Sequence, residues 1–206
     1  MSYRTTPKMA RRKEAHRAKL LRAAIRLFGR RGYHATTVPM IVKASGGSTG
    51  AFYLYFRNKE DVFAAAMEVV GQQIAEALNG AIARAGDDVI SQMREAVSSL
   101  VHFLALHPAE AKILIIESSG LTSRLAAVRR AVIASHCRSV ERAISSLGRA
   151  PGMNPKVAAH CWVGAVHESI YQWLEIAEKD RVAPEFLAKD IALFNLRGIG
   201  VQKEVP

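Results

Sequence analysis

Between Leu20 and Phe28 the apolar residues Leu20, Leu21, Ala24, Ile25, Leu27 and Phe28 recur at steps of three and four, with arginines on the opposite side. That period predicts a helix over 14–31, stopped by Gly32. Thr37 is placed to cap a second, short helix running to Ala44, with Met40, Ile41 and Ala44 facing inward and Pro39 tolerated in the opening turn. Ser45-Gly46-Gly47 then breaks the chain. Ser48 is placed to cap a third helix beginning at Thr49, and Asn58 with Asp61 three positions on predicts the capping of a fourth. Further periodic stretches predict helices over 58–84, 88–106, 108–117, 122–147, 155–179 and 184–197, with Gly148, Pro151-Gly152 and Arg181-Val182 marking the later boundaries.

These elements predict an all-α protein of two domains, with no internal repeat, low-complexity tract or glycine-rich phosphate loop. Its expected organisation is a basic arm over 1–13, a three-helix helix-turn-helix domain over 14–60, and a larger helical regulatory and dimerisation domain over 61–206. With 206 residues, half of them apolar, the chain is long enough for such a core.

Charge sharpens the division. Residues 1–60 hold 14 Lys and Arg against Glu14 and Glu60, a balance of +12. The remaining 146 residues hold 15 basic and 16 acidic groups, so the whole excess of the chain's +11 sits in the N-terminal third. Such asymmetry points to a segment that meets a polyanion, joined to an electrically ordinary domain. Two short helices around a glycine-containing turn in that segment form the pattern of a helix-turn-helix DNA reader. There is no run of 18 apolar residues and no apolar core after the charged N-terminus, so a soluble, cytoplasmic protein without a membrane partner is expected. Cys137 and Cys161 lack CxxC spacing and predict neither a disulfide scaffold nor a zinc ribbon.

The stretch GSTGAFYLYFRNKE, residues 47–60, gathers four aromatics beside this charge. Phe52 and Phe56, four apart, are expected to share one face and anchor the unit to the first helix. Thr49, Gly50 and Ala51 would form a low tip that lets backbone approach DNA, with Thr49 able to read a base edge and the Ala51 methyl able to touch a thymine methyl. Tyr53 is expected to donate its hydroxyl to a phosphate, the competing reading being a half-buried core tyrosine. Lys59 is expected to clamp a phosphate.

From Leu20 to Phe63 the sequence resembles the DNA-binding domain of the TetR family of bacterial transcriptional regulators. The resemblance rests on the AA..LF helix ending in glycine, the TTV run, the glycine turn followed by serine, and then G..Y.YF and NKE. It implies phosphate contact at Thr37, recognition contacts at Ser48, Thr49, Gly50, Ala51, Tyr53 and Tyr55, and a family lysine at Lys59. Two positions depart from the family pattern: Gly47 stands where valine is common, and Ala51 where threonine or serine is usual.

The last two helices are strongly apolar for terminal helices, which suggests a homodimer through Val166, Ile170, Trp173, Leu187, Ile191 and Phe194. The family resemblance implies that they form a four-helix bundle across a two-fold axis. It also implies a domain that encloses a small-molecule effector, with His102, Phe103, Glu117, Trp162, His167 and Tyr171 as lining groups. His160 and His167 share a face without a Cys or carboxylate cluster beside them, so no metal is expected, and no cofactor. Glu117 and Glu168 do not form a convincing acid and base pair, so no catalysis is expected.

The reading that follows is a repressor that binds a palindromic double-stranded operator as a dimer and is released by a small molecule. Its rivals are a non-specific nucleoid- or anionic-surface-binding protein and a helical enzyme. Deleting Met1 to Lys13 is expected to lower affinity for all DNA and to flatten its salt dependence, because these charges would meet phosphates. Titrations of labelled duplex at several salt concentrations test this, and an unchanged slope would reduce the arm to a solubility feature.

Overall fold

In the computed structural model, residues 7–116, 122–147 and 153–201 are described. The first helix, α1 (Pro7–Ala35), starts seven residues earlier than its apolar period predicts and absorbs the second half of the expected arm. Its regular geometry breaks at Gly32, which adopts φ 79°, a conformation open to glycine because it lacks a Cβ. Two short helices follow, α2 (Val38–Ser45) and α3 (Thr49–Tyr53). Ile41 and Val42 form the buried face of α2, whereas Met40 and Ala44, expected inside, are exposed.

The spine of the molecule is α4 (Lys59–Arg84), whose 26 residues span ~39 Å. Its capping by Asn58 is as expected: the Asn58 side chain accepts from the Asp61 amide at 2.8 Å. The first half of α4 buries a dense series from Val62 to Val70, of which Val62, Phe63, Ala66, Met67 and Val70 are fully enclosed. Phe63 meets Phe28 of α1 edge-on at 4.8 Å and Tyr33 at 5.0 Å, so this half of α4 completes the core of the three-helix unit.

The larger domain continues with α5 (Val89–Leu106), α6 (Pro108–Ala111), a π-helical turn at Lys112–Ile116, α7 (Ser123–Leu147), α8 (Pro155–Glu175), a 3-10 turn at Glu178–Asp180, and α9 (Pro184–Gly198). The expected helix over 108–117 therefore splits. Ala111, Ile113, Leu114 and Ile115 are all buried. An α-helix would spread such a near-continuous apolar run around its circumference, and the wider π turn accompanies its burial. The helix expected over 155–179 ends at Glu175, and Arg181 tethers the exit by donating to the carbonyls of Leu174 and Ile176. Among the described residues there is no strand, and no helix is long and apolar enough to cross a membrane.

Helix α4 packs mainly on α5, α7 on α8, and α9 on α5 rather than on α8. The small three-helix unit meets the larger domain where α1 crosses α6. A Cβ placed on Gly29 would lie 2.4 Å from the Cα of Ala109, so this crossing requires glycine. Gly71 plays a milder form of the same role, with its position 3.3 Å from a methyl of Val132 on α7. Gly29→Val is expected to force α1 and α6 apart and to cost about 1–3 kcal/mol of stability, read by urea denaturation. A stability equal to that of the parent chain would show that the crossing is loose.

Candidate nucleic-acid interface and effector cavity

The two threonines at the α1–α2 turn divide the work. Thr36 is fully buried and its hydroxyl donates to the Gly32 carbonyl at 2.8 Å, closing the end of α1. Thr37 is exposed and accepts from the Met40 amide at 3.4 Å as the cap of α2. Helix α2 ends at Gly46, whose φ of 66° lets the amides of Gly46 and Gly47 return to the carbonyls of Lys43 and Val42. Gly47 needs no such freedom. A Cβ there would meet only the Ser45 hydroxyl at 3.2 Å, so the departure from the family pattern at this position is one the fold accommodates.

Ser48 then caps α3 by accepting from the Ala51 amide at 3.2 Å. The helix is five residues long and presents Thr49 and Gly50 to solvent, with Ala51 half-buried. A Cβ on Gly50 would touch nothing, so packing does not require glycine there and the tip stands open to a close partner. Phe52 and Phe56 are buried, as their spacing predicts, and Arg17 of α1 lies 5.7 Å over the Phe56 ring. Tyr53 is 57% exposed, which removes the core-tyrosine alternative. Tyr55 instead packs half-buried against the core. Leu54 is 75% exposed beside Tyr53, an apolar surface position that the sequence reading overlooked.

Lys59 differs from its expected role. Its ammonium donates to the carbonyls of Tyr33 at 2.9 Å and His34 at 3.3 Å and lies 4.3 Å from the Tyr33 ring centroid. It closes the C-terminal end of α1 against the start of α4 instead of standing ready for a phosphate. Burial and the nearby Glu60 carboxylate push the Tyr33 phenol above its ordinary range. The free cations lie elsewhere on the same unit: Arg11, Arg12, Lys13, Lys19, Arg22, Arg26, Arg30 and Arg31 are exposed along α1, and Lys43 on α2.

In the larger domain, α4, α5, the π turn, α7 and α8 line a partly open cavity of about 70 Å³. Its walls are aliphatic except for Arg129 and His136 of α7 and His167 of α8. The Arg129 guanidinium donates to the ring of His167 at 3.3 Å, and burial depresses the basicity of both histidines, helped at His167 by the Arg129 charge. Of the expected lining groups only His167 is there. His102 is exposed with its ring held by the Ser98 carbonyl at 2.8 Å, and Phe103 stacks on His107 at 4.5 Å. Trp162 is buried in the core without reaching the cavity, Tyr171 is half-buried outside it, and Glu117 falls outside the described residues. A helical signal existed for the groups that were missed: Arg129, Val132, Ile133 and His136 follow one another at i, i+3, i+4 and i+7.

A second, wider cleft of about 440 Å³ lies where α1 crosses α6, bordered by Arg26, Arg30, Lys112 and Arg181 with Glu110 as its carboxylate. Four of the six expected interface residues also need correction. Val166, Ile170, Trp173 and Ile191 are 1–6% exposed, enclosed by their own protomer, and have little surface left for a partner. Leu187 is half-buried, and Phe194 stands 71% exposed together with Phe186 on α9. On α8 the outward line is Val157, Cys161, Gly164 and Glu168.

The chain is thus all-α, with a capped helix-turn-helix beside exposed cations and a helical domain that bears a cavity. Residues 20–66 match the family model for bacterial regulatory proteins, tetR family, a match that covers the helix-turn-helix unit and the start of α4. The HTH-type transcriptional regulator YdgC of Bacillus subtilis (strain 168) is 33% identical over 91 residues, covering 43% of this chain and 47% of its own. The HTH-type transcriptional regulator AcrR of Shigella flexneri is 34% identical over 88 residues, covering 43% and 40%. These matches therefore span less than half the length of the curated relatives. At the level of fold, the regulator FadR from Bacillus subtilis in complex with stearoyl-CoA superposes with a TM-score of 0.77 at 20% identity, over 88% of this chain and 98% of that one. AibR in complex with isovaleryl coenzyme A and operator DNA gives 0.69 at 23%, over 87% and 97%.

Tyr53→Ala is expected to weaken binding to a selected operator by about tenfold or more without loss of stability. Lys59→Met is expected to cost about 1–3 kcal/mol of stability because it leaves two carbonyls at the α1 terminus without their cation. Fluorescence anisotropy and urea denaturation of both variants test the division. Normal stability of the lysine variant with weakened binding would return Lys59 to the phosphate surface.

Proposed function

We propose that the protein is a transcriptional repressor that binds a palindromic operator as a homodimer and leaves it when a small molecule occupies the helical domain. The observation that carries this reading is the exposed tip of α3, with Thr49, Gly50 and Tyr53 in solvent, in the same small helical unit as the exposed cations of α1. Arginines and lysines draw the unit to phosphate, and the fixed α3 tip presents side chains to base edges. In this reading Thr37, Ser48, Thr49, Gly50, Ala51 and Tyr53 make the DNA contacts. Dimerisation uses Phe186, Leu187 and Phe194 of α9 with the outer line of α8 from Val157 through Gly164, a narrow, small-residue strip against which a partner helix can pack closely. Two recognition units would then address half-sites one turn, about 34–36 Å, apart.

The effector reading rests on the cavity and on the way its wall is tied to the DNA-binding unit. Helix α7 contributes Arg129 and His136 to the cavity, and the start of α7 grips the start of α4. There Arg124 donates to the Asp61 carboxylate at 2.6 Å and the Thr122 hydroxyl donates to Glu60 at 2.7 Å. The Arg124 hydrogen bond, aided by the Arg57 amide, holds the Asp61 carboxyl below its usual range. A ligand that displaces α7 therefore pulls on the residues that seat α3. A coupling of about 1–3 kcal/mol would change operator affinity by about 5- to 150-fold. Binding of coenzyme A thioesters by the two structural neighbours supports a ligand-bearing role for this domain.

Selection of bound duplex from a random pool by the purified full chain is expected to return an inverted repeat, and light scattering at micromolar concentration a dimer. A pool without consensus, bound with a steep salt slope alone, would favour the non-specific binder and overturn this reading.

A further inference from the structure

The cavity between α4, α5, α7 and α8 is bordered by a half-buried cation with one unpartnered nitrogen. The Nε of Arg129 is buried with no hydrogen-bond partner, while one terminal nitrogen of the same guanidinium is spent on His167. Among the described residues no carboxylate lines the cavity. Arg129 as a whole is half-buried, but its Nε–H is withdrawn from water with no acceptor, and an anion entering the cavity could supply one. The neighbouring imidazoles supply none to that nitrogen. Burial favours the neutral form of His136 and His167, and His167 accepts from Arg129 through Nε2, so its proton sits on Nδ1. The result is one fixed cation and two neutral donor-acceptor rings set in walls of leucine, isoleucine and valine.

We propose that this cavity takes a short-chain aliphatic monocarboxylate, its carboxylate on Arg129 and its tail among Leu100, Leu104, Ile133 and Val163. The assignment rests on the reading of this domain as the effector domain and names its ligand class. A carboxylate offers two oxygens to a planar guanidinium and neutralises it, which neither an alcohol nor a neutral thioester carbonyl does. The size of the space sets the tail. At about 70 Å³ the cavity is roughly half of one known to admit benzene, which fits a buried tail of about three carbons. Arg94 provides an internal comparison, because its Nε is also buried and unpartnered yet it does not line the cavity.

The test is calorimetric titration of the full chain, without DNA, with sodium butyrate, with 1-butanol and with butyryl-CoA. Butyrate is expected to bind saturably and 1-butanol at least tenfold more weakly. Arg129→Gln is expected to lose butyrate binding by tenfold or more, Arg129→Lys to retain part of it, and Arg94→Gln to bind as the parent does. Circular dichroism identifies any variant that fails to fold, and in that case the lysine variant and the comparison of ligands on the parent chain decide. Equal binding of butanol and butyrate, binding of butyryl-CoA without binding of butyrate, or full binding by a folded Arg129→Gln each overturns the proposal. So does binding of none of the three. A chain that selects an operator but binds no butyrate loses only this ligand class, whereas one that selects no operator loses the repressor reading itself.

Discussion

The joint between the end of α1 and the beginning of α4 sets the geometry on which the rest depends. Helix α1 breaks at Gly32 and ends at Ala35 with carbonyls that an ordinary terminus would leave to water, and the Lys59 ammonium takes two of them, those of Tyr33 and His34, from the next long helix. Phe28, Tyr33 and Phe63 interlock immediately beneath, with ring centroids 4.8–6.0 Å apart. Because Lys59 is the first residue of α4, and Phe56 of the α3 segment is buried three positions before it, one polar and one aromatic contact set fix three helix directions together. An exposed tip on a five-residue helix could not hold a direction by itself, since so short a helix has almost no intrinsic stability.

What could be read from the chain beforehand follows from how far each determinant reaches. Caps and stops are local, so Thr37, Ser48 and Asn58 act where their sequence neighbours predict, and Gly32 and Gly46 adopt the positive φ that their positions suggest. Side-chain direction is not local. A lysine at the start of a helix looks the same in sequence whether it meets a phosphate or a carbonyl, and the carbonyls that hold Lys59 lie 25 and 26 residues away. The same holds for Arg129, which reads as one more charge on α7 until the helix is placed against α8.

Apolar faces carry a further ambiguity. Trp173 and Ile191 have the composition of an interface, yet they are consumed in packing α8 and α9 onto the domain core. Hydrophobicity reports that a residue will leave water; it does not report whether its own chain or a second copy will cover it. The residues that remain available, Phe186 and Phe194 at 63% and 71% exposure, are distinguished only by the fold. Gly164 sits on the outward side of α8 with open space around it, where the lack of a side chain leaves room for another backbone to approach.

Helix α7 unites these features because it is at once a wall and a handle. Its middle lines the cavity through Arg129, Val132, Ile133 and His136, and its first turn holds Asp61 through Arg124. A rigid helix converts a small displacement at one end of its length into a displacement at the other, and the interior here is too closely packed to absorb it. Val132 sits 3.3 Å from where a Cβ on Gly71 of α4 would lie, and Gly29 leaves no room between α1 and α6. Motion of α7 must therefore be shared with α4, the helix whose first residue closes α1 and whose first turn follows α3. In the regulator proposed above, a ligand far smaller than the domain would act on DNA geometry by this route, provided it binds the displaced arrangement more tightly than the resting one.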